Sequence, residues 1–453
     1  MQRDLTRGSV LAGIMLFSIP YLISCFLQML YGLGDLFIIG QFAGVESTTA
    51  VSIGSQVMHM VTVIITGLAM GSTVMIGRAV GEEDSEKVSK TIGNTLRLFS
   101  IIAFSMALIL LLLVKPITAI VRTPAEALSS TRVYLVICFL GIPFITLYNI
   151  LSSVFQGMGD TKSPMYFIFI SCVLNIALDY LFIGGFHLGA AGAALGTTLS
   201  QAFSVLIAFI AIRSRKLFAL SRADMRKDGD IVHSIMQVGL PIALQNGFIQ
   251  VSFLFITAIA NMRGLDDAAA VGIVEKIIGM LFLVPSALLS SVSAISSINL
   301  GAGNRERAKS TLWTSIGIAV FFGVLCGVVI QFISEDMVAL FVSGSDTKVI
   351  VSGGQYLRGY VWDSLFAGIH FCFSGYFSAL GKSKIAFYHN MISILLARAP
   401  LAYIASAMFP ENLMPMGLAT VIGSILSCFI CLGCYIYIEG RNRKGKLSCS
   451  DIT

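Results

Sequence analysis

Two aspartates stand where an apolar chain would not carry them by chance. Asp35, in YGLGDLFIIG, lies toward the end of a long apolar run that begins at Val10, and Asp179, in LNIALDY, follows Asn175 by four residues. Four residues are one helical turn, so Asn175 and Asp179 share a face. A carboxylate away from bulk water is costly, and such residues face a cavity or a proton path. Burial disfavours the charged form, and a second acid nearby disfavours it further. Such a pair can take up and release a proton, or hold a cation, near neutral pH. At helical rise Asp179 lies about 24 Å from the inner start of its span, and Thr197 about 12 Å from the outer start of the next. Asp35 is near the outer end of the first span, so all three fall in the outer half of the bilayer. Two carboxylates, an amide and a hydroxyl suit a proton or sodium equally, because oxygen ligands suit hard cations. For Asp35 a second reading is an acid snorkelling to the headgroups from a helix end. Gly32 and Gly34 allow the helix beside it to bend or approach its neighbours.

The elements that must position these groups are membrane helices. Of 453 residues, 56% are hydrophobic and 12% charged, with a mean hydropathy of +0.87. Soluble domains carry about twice that charged fraction. Apolar runs long enough to span predict twelve helices, near 10–40, 48–78, 94–114, 131–156, 163–184, 189–212, 234–260, 268–298, 311–333, 350–380, 385–408 and 416–438. The N-terminus has no small-residue cleavage site behind a short apolar stretch, so the first helix is expected to stay. No soluble domain is expected. With the N-terminus placed in the cytoplasm, twenty lysines and arginines fall in inner connections and five in outer ones. That bias puts both termini inside a plasma (inner) membrane. The net charge of +6 reflects this topology and gives no reason to expect nucleic acid. Cys428, Cys431 and Cys434 copy an iron–sulfur spacing, but on one apolar helix and without the fourth cysteine, so they read as packing residues. No phosphate-cradling G-x-x-x-x-G-K-[ST] is present, which disfavours an ATP-driven pump.

The chain also matches itself at a shift near 221. Pro20 pairs with Pro241, AVGEEDSEKVSKT with NLGAGNRERAKST, FQGMGDTKS with FSALGKSKI, and LGTTLS with LATVIG. The expected organisation is an N-lobe (1–212), a basic cytoplasmic linker (213–232), a C-lobe (233–438) and a basic cytoplasmic tail (439–453). Six spans per repeat make the halves parallel. Transporters of this build hold substrate between repeats and expose it to each side in turn. Asp35 and Asp179 both belong to the first half, and their approximate partners in the second are Ile256 and Leu401.

On the motifs GDLFIIGQFAG, GRAVGEED, FQGMGDTKSP, LNIALDYLFI, GAAGAALGTTLSQ, GLPIALQ, LGAGNRERA and RAPLAY, in order along twelve spans, the chain resembles the multidrug and toxic compound extrusion (MATE) transporters of prokaryotic type. The resemblance implies two six-helix bundles forming a V-shaped central cavity. It also implies export of amphipathic, cationic organic compounds against protons or sodium. Carried over residue by residue, it implies an N-lobe cation site of Asp35, Asn175, Asp179 and Thr197, and a helix-bending role for Pro20. The C-lobe departs from the pattern. ALQNGFIQV in span 7 carries Gln245, Asn246 and Gln250 where some members have a glutamate, and Asp363 lies about a turn before those members' span-10 aspartate.

Candidate substrate-cavity residues are Met29, Tyr31, Tyr148, Gln245, Asn246, Gln250 and Glu275. Met58, Phe155 and Phe253 would add soft, adaptable wall. Glu275 either lines the cavity or pairs within its lobe. Adjacent Lys276 is on a different face and is not its partner. Arg398 is expected to serve structurally against a carbonyl or an acid. His59 and His370 relay protons or pack as satisfied histidines. Expected partners are small organic molecules and membrane lipids, around a monomer that is not an enzyme. No cofactor is expected beyond the coupling ion. The competing reading is a lipid-linked precursor flippase on a related plan, which would need several cationic cavity residues where acids are found. A non-transporting sensor lacks the soluble domain it would use.

Overall fold

In a bilayer every backbone N–H and C=O must be satisfied within the protein, and a chain of apolar runs does this as helices. The computed structural model describes residues 5–215, 221, 223–342 and 346–443. Lys216 and Arg222 of the linker, and the tail beyond Arg443, lie outside the described residues. The first half consists of α1 (Val10–Phe42), α2 (Val45–Gly81), α3 (Ser85–Leu112), a short α4 (Val114–Ile120), α5 (Leu128–Gly157), α6 (Lys162–Asp179), a π-helical turn (Tyr180–Gly185) and α7 (Gly189–Arg215). The second half follows with α8 (Gly229–Arg263), α9 (Leu265–Leu281), α10 (Leu283–Gly301), α11 (Arg305–Ala339), α12 (Thr347–Tyr360), α13 (Asp363–Ala379), α14 (Ser383–Ser393), a π turn (Ile394–Arg398), α15 (Ala399–Met408) and α16 (Met414–Arg443).

Eleven helical segments among the described residues are long and apolar enough to cross a membrane. The twelfth expected span, 350–380, is divided at Val361–Trp362 into α12 and α13. The break has a visible cause. Gln331 of α11 donates its side-chain amide to the carbonyl of Arg358 at 3.1 Å, the acceptor that the next helical N–H would have used. The chain tightens, with Ser364 N–H bonding to Val361 O at 3.1 Å, and restarts with Asp363 in the first turn of α13. A carboxylate there is favoured by the unpaired N–H groups of the helix start.

The repeat is visible in how the third span of each half begins. The Asp84 side chain accepts from Lys87 N–H at 2.9 Å, and Asn304, 220 positions later, accepts from Arg307 N–H at 3.3 Å. Each cap is worth about 1 kcal/mol.

The described residues form two compact units, one of Ile19–Met236, the other of residues 5–18 with 237–443. The first turns of α1 thus group with the second unit, and the first turns of α8 with the first. Pro20 and Pro241 follow within a few residues of each change. Arg307 holds the lead-in to α1 in the second unit, donating to the carbonyls of Leu5, Gly8 and Arg7 at 3.1, 2.8 and 2.9 Å. Asn94 and Arg97 of α3 hold the lead-in to α8 in the first, through Asp228 N–H at 2.9 Å and Met225 O at 3.3 Å.

Lipid offers no hydrophobic drive between helices, so close van der Waals approach must hold them. In the second unit α12 and α16 meet at two glycines. A Cβ on Gly359 would lie 2.5 Å from Met414 O, and one on Gly417 would lie 2.6 Å from Tyr356 O. In the first unit Tyr134, Leu135, Phe139 and Ile142 of α5 pack against Val51, Met58 and Ile65 of α2 and Ala193 and Ala194 of α7. This cluster reaches Ile38, Ile39 and Ile183, the apolar residues immediately beyond the two aspartates.

Candidate cation-coupling site

Three helices of the first unit bring the acids together. Asp35 comes from α1, Asn175 and Asp179 from one face of α6, and Thr197 from α7. Asp35 is 3% exposed, and Asp179 and Asn175 are fully buried. Thr197 donates its hydroxyl to Asp35 Oδ2 at 2.9 Å. The carboxyl of Asp179 lies against that of Asp35. Neither Asp179 oxygen has a hydrogen-bond partner, nor does Asp35 Oδ1, nor either polar atom of the Asn175 amide. Two carboxylates facing each other are acceptors only, and they bond when a proton or cation sits between them.

Around this pair the first unit supplies hydroxyls. Tyr31, one turn before Asp35, bonds to Ser200 and donates to Thr197 O at 3.4 Å. Ser171 donates to Ser200 O at 2.7 Å, tying α6 to α7. No lysine or arginine among the described residues forms an ion pair with Asp35 or Asp179.

Gly196 was not singled out from sequence. A Cβ there would sit 2.2 Å from Asp179 Oδ1 and 3.3 Å from its Cγ, so α7 approaches the acid as only glycine allows. The small-residue run GAAGAALGTT was the available signal. Asp179 also ends α6, and the chain passes directly into the π turn Tyr180–Gly185. Such turns recur at functional sites because they leave local backbone bonds open.

The other candidates are dispersed. Pro20 lies inside α1, and Ser24 donates its hydroxyl to Pro20 O at 2.9 Å. Tyr148 lines a cavity of about 40 Å³ in the first unit, beside the stretch of α1 between Pro20 and Asp35. Its wall is uncharged and mixed, with Tyr21, Ser24, Gln28, Thr66, Asn149 and Gln156 beside the apolar Ala69 and Met70. Tyr31 is turned toward α7, and Met29 is half-buried. Met58 and Phe155 sit in apolar cores.

In the second unit Gln245 is buried, while Asn246 and Gln250 are half-buried on α8. Glu275 accepts from the Thr257 hydroxyl at 3.1 Å. Arg398 bonds to the Tyr360 hydroxyl, lies 3.8 Å from Asp363 Oδ2, and sits over the rings of Phe253 (5.2 Å) and Tyr360 (5.6 Å). His370 packs its ring on His389, whose nitrogens engage Ser374 and Ser427 at 2.9 and 3.2 Å. His59 lies on an exposed face of α2. Cys431 is packed in a core cluster with Cys434 against it, and Cys428 bonds to Phe366 O.

The MatE family model matches residues 20–181 and 241–404, one stretch in each half. A probable multidrug resistance protein of Bacillus subtilis (strain 168), YpnP, is 27% identical over 444 residues, covering 98% of each chain. The multidrug export protein MepA of Staphylococcus aureus (strain MSSA476) is 27% identical over 429 residues, covering 93% of this chain and 91% of its own. Among solved structures, a MATE protein in complex with MaL6 superposes with a TM-score of 0.91 at 21% identity, over 97% of this chain and 99% of that one. An outward-facing multidrug resistance MATE family transporter gives 0.89 at 21% identity, over 96% and 98%. At that identity the structures speak for the fold, and the two-part family match speaks for descent: the chain belongs to the MatE family of multidrug and toxic compound extrusion transporters.

Proposed function

We propose that this protein is a secondary-active exporter that moves amphipathic, cationic organic compounds outward in exchange for protons. The observation that carries the reading is the buried Asp35–Asp179 pair. Its carboxyls adjoin, and no basic side chain among the described residues pairs with them. A low-dielectric interior does not hold two unpaired carboxylates, so the pair requires an exchangeable positive charge. When a proton is bound, Asp35, Asp179, Asn175 and Thr197 form one hydrogen-bonded set. When it leaves, the charge is free to favour a cationic compound nearby. Substrate and proton then exclude each other, and linkage makes the effect reciprocal. The cavity lined by Tyr148 and Gln28 lies on the same face of α1 and gives that helix room to bend at Pro20. The export name carried by MepA supports the direction of transport. We read it as a monomer of the plasma membrane, and the charge bias of its connections supports both termini lying inside.

Proteoliposomes holding the purified protein and a cationic amphiphilic dye test this. Dye movement is expected when a pH gradient alone is imposed. Movement under a sodium gradient alone would make sodium the coupling ion, and movement under neither would overturn the exchanger.

A further inference from the structure

The second span of each half has an exposed face unlike those that meet lipid. On α11 the exposed positions include Trp313, Phe321, Leu325, Val328 and Phe332, all large and apolar. On α9 the large apolar Leu265 and Met280 are exposed only near its two ends, and between them the exposed positions are Ala269, Lys276 and Gly279. A Cβ built at Gly272 or Gly279 would meet nothing within 4 Å, so the face is bare as well as small. Its counterpart on α2 exposes Ser52, Gln56 and His59 with Met60 beside them, and Lys276 stands 220 positions after Gln56.

Lys276 has no hydrogen bond or ion pair among the described residues. Glu275 beside it is turned inward, to the Thr257 hydroxyl. The outer aqueous end of this span is marked by Asp266, paired with Lys348 at 2.9 Å. Lys276 lies ten residues further along, about 15 Å at helical rise. That is deeper than a lysine stem reaches by snorkelling. An ammonium facing lipid tails at such depth is costly, and a face of alanine, glycine and lysine offers tails little to pack on. The face therefore meets water, and a solvated, unpaired cation attracts negative groups.

We propose that Lys276 is a substrate-recognition residue that pairs with a carboxylate on the transported compound, so that the carrier takes zwitterionic amphiphiles in preference to purely cationic ones. The inference rests on the exporter reading and narrows its substrate class.

The test uses two matched dyes, a rhodamine with a free carboxylate and its ethyl ester. Binding to the purified full-length protein is followed by fluorescence polarisation and transport in proteoliposomes. Lys276→Gln is expected to weaken binding of the acid about tenfold, the loss of one charge-assisted hydrogen bond, and to leave the ester unchanged. The loss should fall on KM with kcat preserved, as for a contact held equally throughout the cycle. Lys276→Arg should retain the preference for the acid, and Lys276→Glu should reverse it. Equal effects on the two dyes, or none, would overturn the assignment. Failure of the wild type to bind either dye would instead overturn the exporter reading itself. An unchanged melting temperature for Lys276→Gln checks that the exposed substitution leaves the fold intact.

Discussion

Each unit carries two acids within its spans, and the two pairs are neutralised differently. In the first, Asp35 and Asp179 adjoin with hydroxyls and an amide around them and, among the described residues, no cationic partner. In the second, Asp363 and Glu275 share a unit with the guanidinium of Arg398, itself held between Phe253 and Tyr360. A tethered cation cannot leave, so acids that lean on it hold a fixed arrangement. Acids without one depend on a charge from solution. On the function proposed above, one cluster is part of the scaffold and the other an exchange site.

The largest expected effect is at the exchange site. Asp35→Asn or Asp179→Asn should abolish coupled dye export at normal expression, while Asp363→Asn retains a measurable part of it. Equal loss in all three variants would erase the distinction between the units. Gly196→Ala should come next. Its methyl group collides with Asp179 Oδ1, and overpacking of this kind costs about 1–3 kcal/mol. Transport should fall well below wild type with a lowered melting temperature; wild-type values for both would show that the close approach is unimportant.

Arg398 separates stability from coupling. Arg398→Gln leaves Asp363 and Glu275 without their cation, and breaking a buried pair costs about 3 kcal/mol. Thermal unfolding in detergent should drop accordingly, and the double variant Arg398→Gln with Asp363→Asn should recover part of the loss. A single variant as stable as wild type would refute the scaffold role. Smaller again is the effect at the two lead-in segments. Arg307→Ala removes three hydrogen bonds to the start of the chain and Asn94→Ala the hold on the connector, each worth about 1 kcal/mol. Hydrogen exchange should rise locally at Leu5–Gly8 in the one and at Asp224–Asp228 in the other; exchange that stays at the wild-type level would contradict the anchoring role.

The smallest effect is a pH dependence of the connector. Asp224 accepts from the hydroxyl and N–H of Ser221, which hold its carboxyl below the usual aspartate range. A depressed value means the contribution is present above the unfolded pKa and fades as pH falls through the folded one. Exchange around Ser221 should therefore rise only on acidification below the ordinary aspartate range, and Asp224→Asn should remove that dependence. A rise at neutral pH would show that another group governs the connector.

What the sequence made legible follows from contrast. Asp35, Asn175 and Asp179 stand out because polar groups in an apolar run have to be explained, and their spacing put two of them on one face. The repeat was legible through Pro20 and Pro241 and through the turn motifs that became the Asp84 and Asn304 caps. The division of span 350–380 was hidden, because Tyr360, Val361 and Trp362 are apolar and carry no breaker. The cause lies on another helix, in Gln331. Gly196 was hidden for the same reason, since a close approach is a property of two helices and no one segment records it. The partners of Arg398 were foreseen only as a class, because distance along the chain gives no sign that residues 363 and 398 meet.

The central claim is that the Asp35–Asp179 pair binds an exchangeable proton in competition with substrate. It is tested most directly by adding a cationic substrate dye to purified protein in weakly buffered detergent near neutral pH and following the pH. Wild type is expected to release protons on binding, and Asp179→Asn distinctly fewer. Equal release from both proteins, or no release from wild type together with a sodium-dependent affinity, would contradict the account.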